Sequence, residues 1–215
     1  MAILDLAKRD RWKEGWTVRM RGRWTQIAGI VGCALAAAGV LVPAPAGADS
    51  DQAPALPVFI PGPTDWSPRM DIWPYSTFTY QVTPEMIAGM SDSCQWFNAQ
   101  FDPLMGQINA VNRNLGEHHD RYPGVQSQVD AVVANIDRST GFLGPRLQPL
   151  TIRNTPDNFG PYSPIYGGEQ LTGVLFQLSR IADSLRTKQP SGFARPHLDA
   201  AAGWADALRN SRACA

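Results

Sequence analysis

The chain has 215 residues, 19 Lys/Arg balanced by 19 Asp/Glu, 44% apolar residues and three cysteines. That balance carries no basic surplus for a nucleic-acid surface, the apolar content is too high for a disordered chain, and three cysteines are too few for a disulfide-dense scaffold. Residues 1–26 nevertheless hold seven Lys/Arg against three acids, so the charge is unevenly placed.

That basic stretch is followed by an uncharged apolar run from Ile27 to Val42 and by Ala46-Gly47-Ala48. Basic, apolar, then small-x-small is the order of a secretory signal peptide, and it predicts a leader over 1–48 with cleavage after Ala48. Met20 begins a compact version of the same leader and is a candidate start. Two rival readings are weaker. Ile30-Val31-Gly32-Cys33 fits a lipobox loosely, but the apolar run continues beyond Cys33. An uncleaved anchor would need about 20 apolar residues, and this run has 16 of mostly small ones. Any membrane attachment is expected only through such an uncleaved leader.

Export leaves a chain of 167 residues with a net charge of minus four, the size of one domain. Its cysteines are then Cys94 and Cys214, an even pair in an oxidising setting, and a disulfide between them is expected.

Asp49 to Thr83 reads as an extended arm. Pro54, Pro57, Pro61, Pro63, Pro68 and Pro74 forbid a helix, while Phe59, Ile60, Trp66, Ile72 and Trp73 make the segment unlike a solvated linker. Phe78, Tyr80 and Val82 alternate with polar residues in a short strand-like pattern.

The most ordered pattern follows. Met90, Cys94, Phe97, Phe101, Leu104, Ile108, Val111 and Leu115 recur at steps of four and three, the seam of a bundle helix. Thr83 suits an N-cap and Pro84 a first turn, while Gly116 and the His118-His119 pair suit an end. Asp102-Pro103 interrupts the middle without shifting the phase. One kinked helix, or two nearly coaxial ones, of roughly 50 Å is expected at ~1.5 Å per residue.

Asp120-Arg121-Tyr122-Pro123 predicts a tight reversal. A second helix carries Val125, Val129, Val132 and Ile136 on one face and is expected to stop at Ser139-Thr140-Gly141. Gly141 to Gly168 then reads as a long ordered loop, pinned by residues such as Tyr162 and Tyr166. Glu169 to Lys188 predicts a helix with Leu171, Val174, Leu178, Ile181 and Leu185 inward. Pro190 to Ala194 predicts a break, and Pro196 opens a last helix with Leu198, Ala201, Ala205 and Leu208 inward. The fold class is therefore all-α: an antiparallel helical bundle over 84–215 built on one long kinked helix, with the arm over 49–83 and one disulfide.

Chemistry is sparse. Glu117, His118, His119 and Asp120 resemble a metal set by composition, but neighbours on a helix point about 100° apart, and capping explains the histidines. No Gly-x-Ser-x-Gly, P-loop, His-Glu-x-x-His or Gly-x-Gly-x-x-Gly is present. No catalytic residue, metal ligand or cofactor is predicted. The expected function is a non-enzymatic interaction module that docks on an unidentified envelope protein. Its candidate surface comprises Trp66, Trp73, Tyr162 and Tyr166 on the arm and loop. The alternative is a carrier for an apolar ligand such as a lipid, held in a pocket floored by Phe97, Phe101, Phe176 and Trp204. A hydrolase with a site on the 141–168 loop is a third and weaker reading.

Overall fold

A computed structural model describes residues 53–152 and 162–215. The predicted leader and the centre of the predicted loop lie outside the described residues.

The chain is mostly helical, and among the described residues no strand forms. An isolated bridge pairs Ile152 with Tyr162. Helix α1 spans Pro84–Trp96, α2 Asp102–Glu117, α3 Gln126–Leu147, α4 Gly168–Arg186 and α5 Ser191–Ser211. Between α1 and α2, Phe97–Phe101 form a π-helical segment, and Phe97, Phe101 and Asp102 all keep right-handed helical dihedrals. The path is thus unbroken at Asp102-Pro103. Pro103 has no N–H to offer the preceding turn, and the wider turn lies directly before it. We call 84–117 the rod.

Local signals set the ends of the rod. The Thr83 hydroxyl accepts from the Met86 amide at 3.3 Å, with Pro84 and Glu85 in the first turn. At the other end, His119 and Asp120 take left-handed dihedrals, and the Asp120 amide donates to Leu115 O. The whole predicted seam from Met90 to Leu115 is buried.

Packing closes a ring. The rod lies against α3 and α5, α3 against the rod and α4, and α4 against α3 and α5. Cys94 and Cys214 are joined, with Cα atoms 5.0 Å apart, so the C-terminus is stapled to the rod about a third of the way along.

Four sequence expectations are corrected. Helix α3 does not stop at Ser139-Thr140-Gly141 but runs to Leu147, through Gly141, Gly144 and Pro145. Leu143 and Leu147 continue its buried seam, and their burial outweighs the ~1 kcal/mol each glycine costs. The connection to α4 is shorter than 141–168 accordingly. With that extra length, α3 covers both α1 and α2. Helix α5 opens at Ser191 rather than at Pro196, because Asp120 Oδ1 accepts from the Ser191 amide at 2.8 Å and caps it from another element. That hydrogen bond holds the Asp120 carboxyl below the usual range.

The fourth correction concerns the strand-like pattern over 76–83. Tyr75–Thr77 and Thr79–Gln81 are 3-10 turns. Tyr75, Phe78 and Gln81 face inward at intervals of three, the 3-10 repeat, and Tyr80 is left exposed.

Candidate functional site

The arm packs on these helices. Ala53, Leu56 and Phe59 pack on the core at intervals of three, the repeat of a polyproline-type helix. They lie along the groove between the rod and α3.

Both walls of this groove read the arm's backbone. Pro54 O accepts from Gln107 Nε2 at 2.9 Å and from Asn135 Nδ2 at 3.1 Å, and the Leu56 amide donates to Asn135 Oδ1 at 3.1 Å. Arg138 donates to Leu56 O, and Gln100 Nε2 donates to Pro57 O at 2.7 Å. Further along, Gly62 N donates to Gln95 Oε1 at 2.9 Å, and Gln95 Nε2 donates back to Gly62 O at 3.2 Å. Buried Asn135 also donates to Gln107 Oε1 at 2.7 Å, so its amide is fully used.

A second ladder adds packing. Phe59 sits edge-on to Phe142 at 5.2 Å, the Arg146 guanidinium covers Phe142 at 3.8 Å, and Arg146 pairs with Asp92 at 2.9 Å. The arm, α3 and α1 are held together by these four side chains.

Asn135→Leu is expected to release the arm, because it strands the Leu56 amide and the Gln107 amide oxygen. The expected loss is about 1–3 kcal/mol, the cost of an unsatisfied buried polar group. Limited proteolysis over 54–62 measures the release, and unaltered cleavage would contradict it.

The residues singled out from the sequence fall in separate places. Trp66 is half-buried, and its indole N–H donates to Ala213 O at 2.9 Å, beside the disulfide. Trp73 is 80% exposed. The Tyr162 hydroxyl donates to Gln81 Oε1 at 2.6 Å while its ring lies 4.8 Å from Phe78, and Tyr166 is edge-on to Tyr75 at 5.2 Å. Both tyrosines thus bind the α3 to α4 connection to the end of the arm. Phe97 and Phe101 stack on each other inside the core, whereas Phe176 and Trp204 are exposed on α4 and α5, Trp204 lying against Gly173.

Two clefts lie beside the α3 to α4 connection. One of about 520 Å³ is lined by Leu147, Gln148, Thr151, Thr172 and Leu175. Another of about 190 Å³ is lined by Thr151, Tyr162, Ser163, Glu169 and Thr172. None of the four aromatics proposed to floor a pocket lines either. Among the described residues no three of His, Cys, Asp and Glu come together in a metal-binding cluster, and no helix is long and apolar enough to cross a membrane.

No known protein family, curated protein or solved structure matches the chain. Its chemistry must be read from its own geometry.

Glu169 is tied down in the smaller cleft, accepting from the Tyr75 hydroxyl at 3.0 Å and from the Ser163 amide at 3.3 Å. The Ser163 hydroxyl is turned to the backbone of Ile165. Burial, reinforced by the Glu169 charge, pushes the Tyr75 phenol from 10.0 up to about 12. The folded chain therefore holds this proton more tightly than the unfolded one. Stability linked to Tyr75 is complete below about pH 10 and is lost as pH rises through about 12. Tyr75→Phe should flatten the fall of the denaturation midpoint over that window, with Tyr122→Phe as comparison, since burial also raises the Tyr122 phenol. An unchanged slope would remove this assignment.

Sequence reasoning missed Gln95, Gln100, Gln107, Asn135 and Arg138. Their signal was an amide-rich flank beside an apolar seam, which ordinarily reads as solvated surface.

Proposed function

We propose that this is an exported, non-enzymatic interaction module, acting at the cell envelope after cleavage of a leader near Ala48, and that its outward-facing arm carries the contact surface. We read the packed elements as an antiparallel bundle, with the rod bent at its π segment to follow the neighbours. The observation that carries the functional reading is exposure on a fixed backbone. Val58 is 72% exposed, Ile60 and Trp73 80%, and Tyr80 81%, although the chain between them is fastened to the rod, α3 and the C-terminus. Large apolar side chains held in place lose little entropy when a partner covers them.

Cross-linking on intact cells followed by mass spectrometry of captured partners tests this. Val58→Ser/Ile60→Ser/Trp73→Ser should keep the denaturation midpoint within about 1 kcal/mol, as exposed positions do, and lose the captured partner. Capture equal to the wild type would refute the reading.

A second reading, carriage of an apolar ligand, draws on the 520 Å³ cleft, which is on the scale of small-molecule sites. Organic extraction of the purified protein separates the two. A stoichiometric apolar compound would favour carriage, and an empty extract favours the interaction module.

A further inference from the structure

We propose that the groove between the rod and α3 is a binding site for extended, proline-containing polypeptide, and that the chain's own arm fills it in cis. This goes beyond the outward surface just described, because it concerns the inner wall that the arm covers and a ligand that replaces the arm.

The contacts define the ligand. Over 54–62 the groove bonds to four carbonyls, those of Pro54, Leu56, Pro57 and Gly62, and to the two amides of Leu56 and Gly62. No arm side chain in that stretch takes part. The groove therefore reads backbone, chiefly carbonyl oxygen, and tolerates changes of sequence. Proline lacks an N–H but keeps its carbonyl, so proline costs no bond at any place but those of Leu56 and Gly62, whose amides the groove uses. Selectivity comes from the inward edge, where apolar side chains three residues apart fill the places of Leu56 and Phe59. Prolines two before and one after the first of these match Pro54 and Pro57.

The rod is shaped for this task. Gln100 and Gln107 are seven residues apart and share a face of an α-helix. Gln95 and Gln100 are five apart, which at about 100° per residue would leave them about 140° out of line. The wider turn of the π segment Phe97–Phe101 begins between them and narrows that offset, and both glutamines bond the arm.

Because the arm is covalently attached, it occupies the groove at an effective concentration of about millimolar, and a ligand in trans must compete with it. The site is thus self-covered until a better strand arrives.

The test uses the full chain and a fluorescent synthetic peptide of residues 53–66. Leu56→Asp/Phe59→Asp keeps the cis arm from seating. By fluorescence anisotropy, this variant is expected to bind the peptide with a Kd of about 0.1 mM or tighter and at least about 10-fold more tightly than the wild type, the factor by which a millimolar competitor weakens such a site. Adding Gln100→Ala to it should weaken binding, and a peptide carrying the same two aspartates should not bind. Absence of saturable binding to the variant while its helical circular dichroism is intact would overturn the proposal. So would equal binding of the aspartate peptide. Should the variant lose its helical signal, millimolar peptide added to the wild type should speed proteolysis within 53–66 of the chain, and unchanged cleavage decides against. Loss of cellular capture by the exposed-residue variant bears on the outer surface alone, so the two proposals fail separately.

Discussion

Replacing both Cys94 and Cys214 with serine is expected to lower the unfolding free energy by about 4–5 kcal/mol, the largest effect expected here. The bridge joins residues 120 apart, and closing a loop of that size removes much of the freedom of the unfolded chain. The cross-link also organises its surroundings. Ala213 O accepts from the Trp66 indole and Cys214 O from Asn98 Nδ2 at 2.9 Å, so the bridge fixes both the C-terminus and the far end of the arm. Denaturant midpoints of the oxidised chain and of the double serine variant measure the difference. A shift worth less than about 1 kcal/mol would mean that the C-terminus docks without its staple.

The second large effect is expected at Gly89. A Cβ built there would lie 2.3 Å from Arg146 O and 3.2 Å from Arg146 C, both backbone atoms of α3 that cannot swing aside. In an unobstructed helix Gly→Ala gains up to ~1 kcal/mol, whereas overpacking a close contact typically costs about 1–3 kcal/mol or more. Here the clash wins, so Gly89→Ala should destabilise by about 1–3 kcal/mol through separation of α1 from α3. Gly106, which has nothing within 4 Å of the equivalent position, is the control, and Gly106→Ala should be neutral or stabilising by up to ~1 kcal/mol. The opposite signs are diagnostic in thermal denaturation. Equal behaviour would show that α1 and α3 do not approach as described.

Much of the framework was legible because it depends on periodicity and on counting. The eight seam residues from Met90 to Leu115 repeat at a helical interval and are all buried, and the expected pair Cys94 and Cys214 is joined. The failures have a common cause, which is that local signals compete with contacts distant in sequence. Gly141, Gly144 and Pro145 look like a stop, yet Leu143 and Leu147 are buried and the helix continues. Pro196 looks like a start, yet Asp120 supplies a cap five residues earlier. Trp96 lies off the seam and was not singled out, although it is fully buried with its indole N–H unpartnered.

The candidate site was legible only on one side. The arm's prolines and aromatics announced an extended segment that packs on something, and Leu56 and Phe59 do pack. The glutamines that receive it could not be recognised without the π segment, because in a regular helix Gln95 would face away from Gln100. Nor could Asn135 be told from a surface residue until its three hydrogen-bonded neighbours, Pro54 and Leu56 on the arm and Gln107 on the rod, were in place.

The account turns on the arm being seated by backbone contacts to side-chain amides, and amide hydrogen exchange of the intact oxidised chain reads those contacts directly. The Leu56 and Gly62 amides should exchange slowly, and Gly62 should become fast in Gln95→Ala while Leu56 stays protected. Exchange of both at the rate of an unstructured chain in the wild type would contradict it.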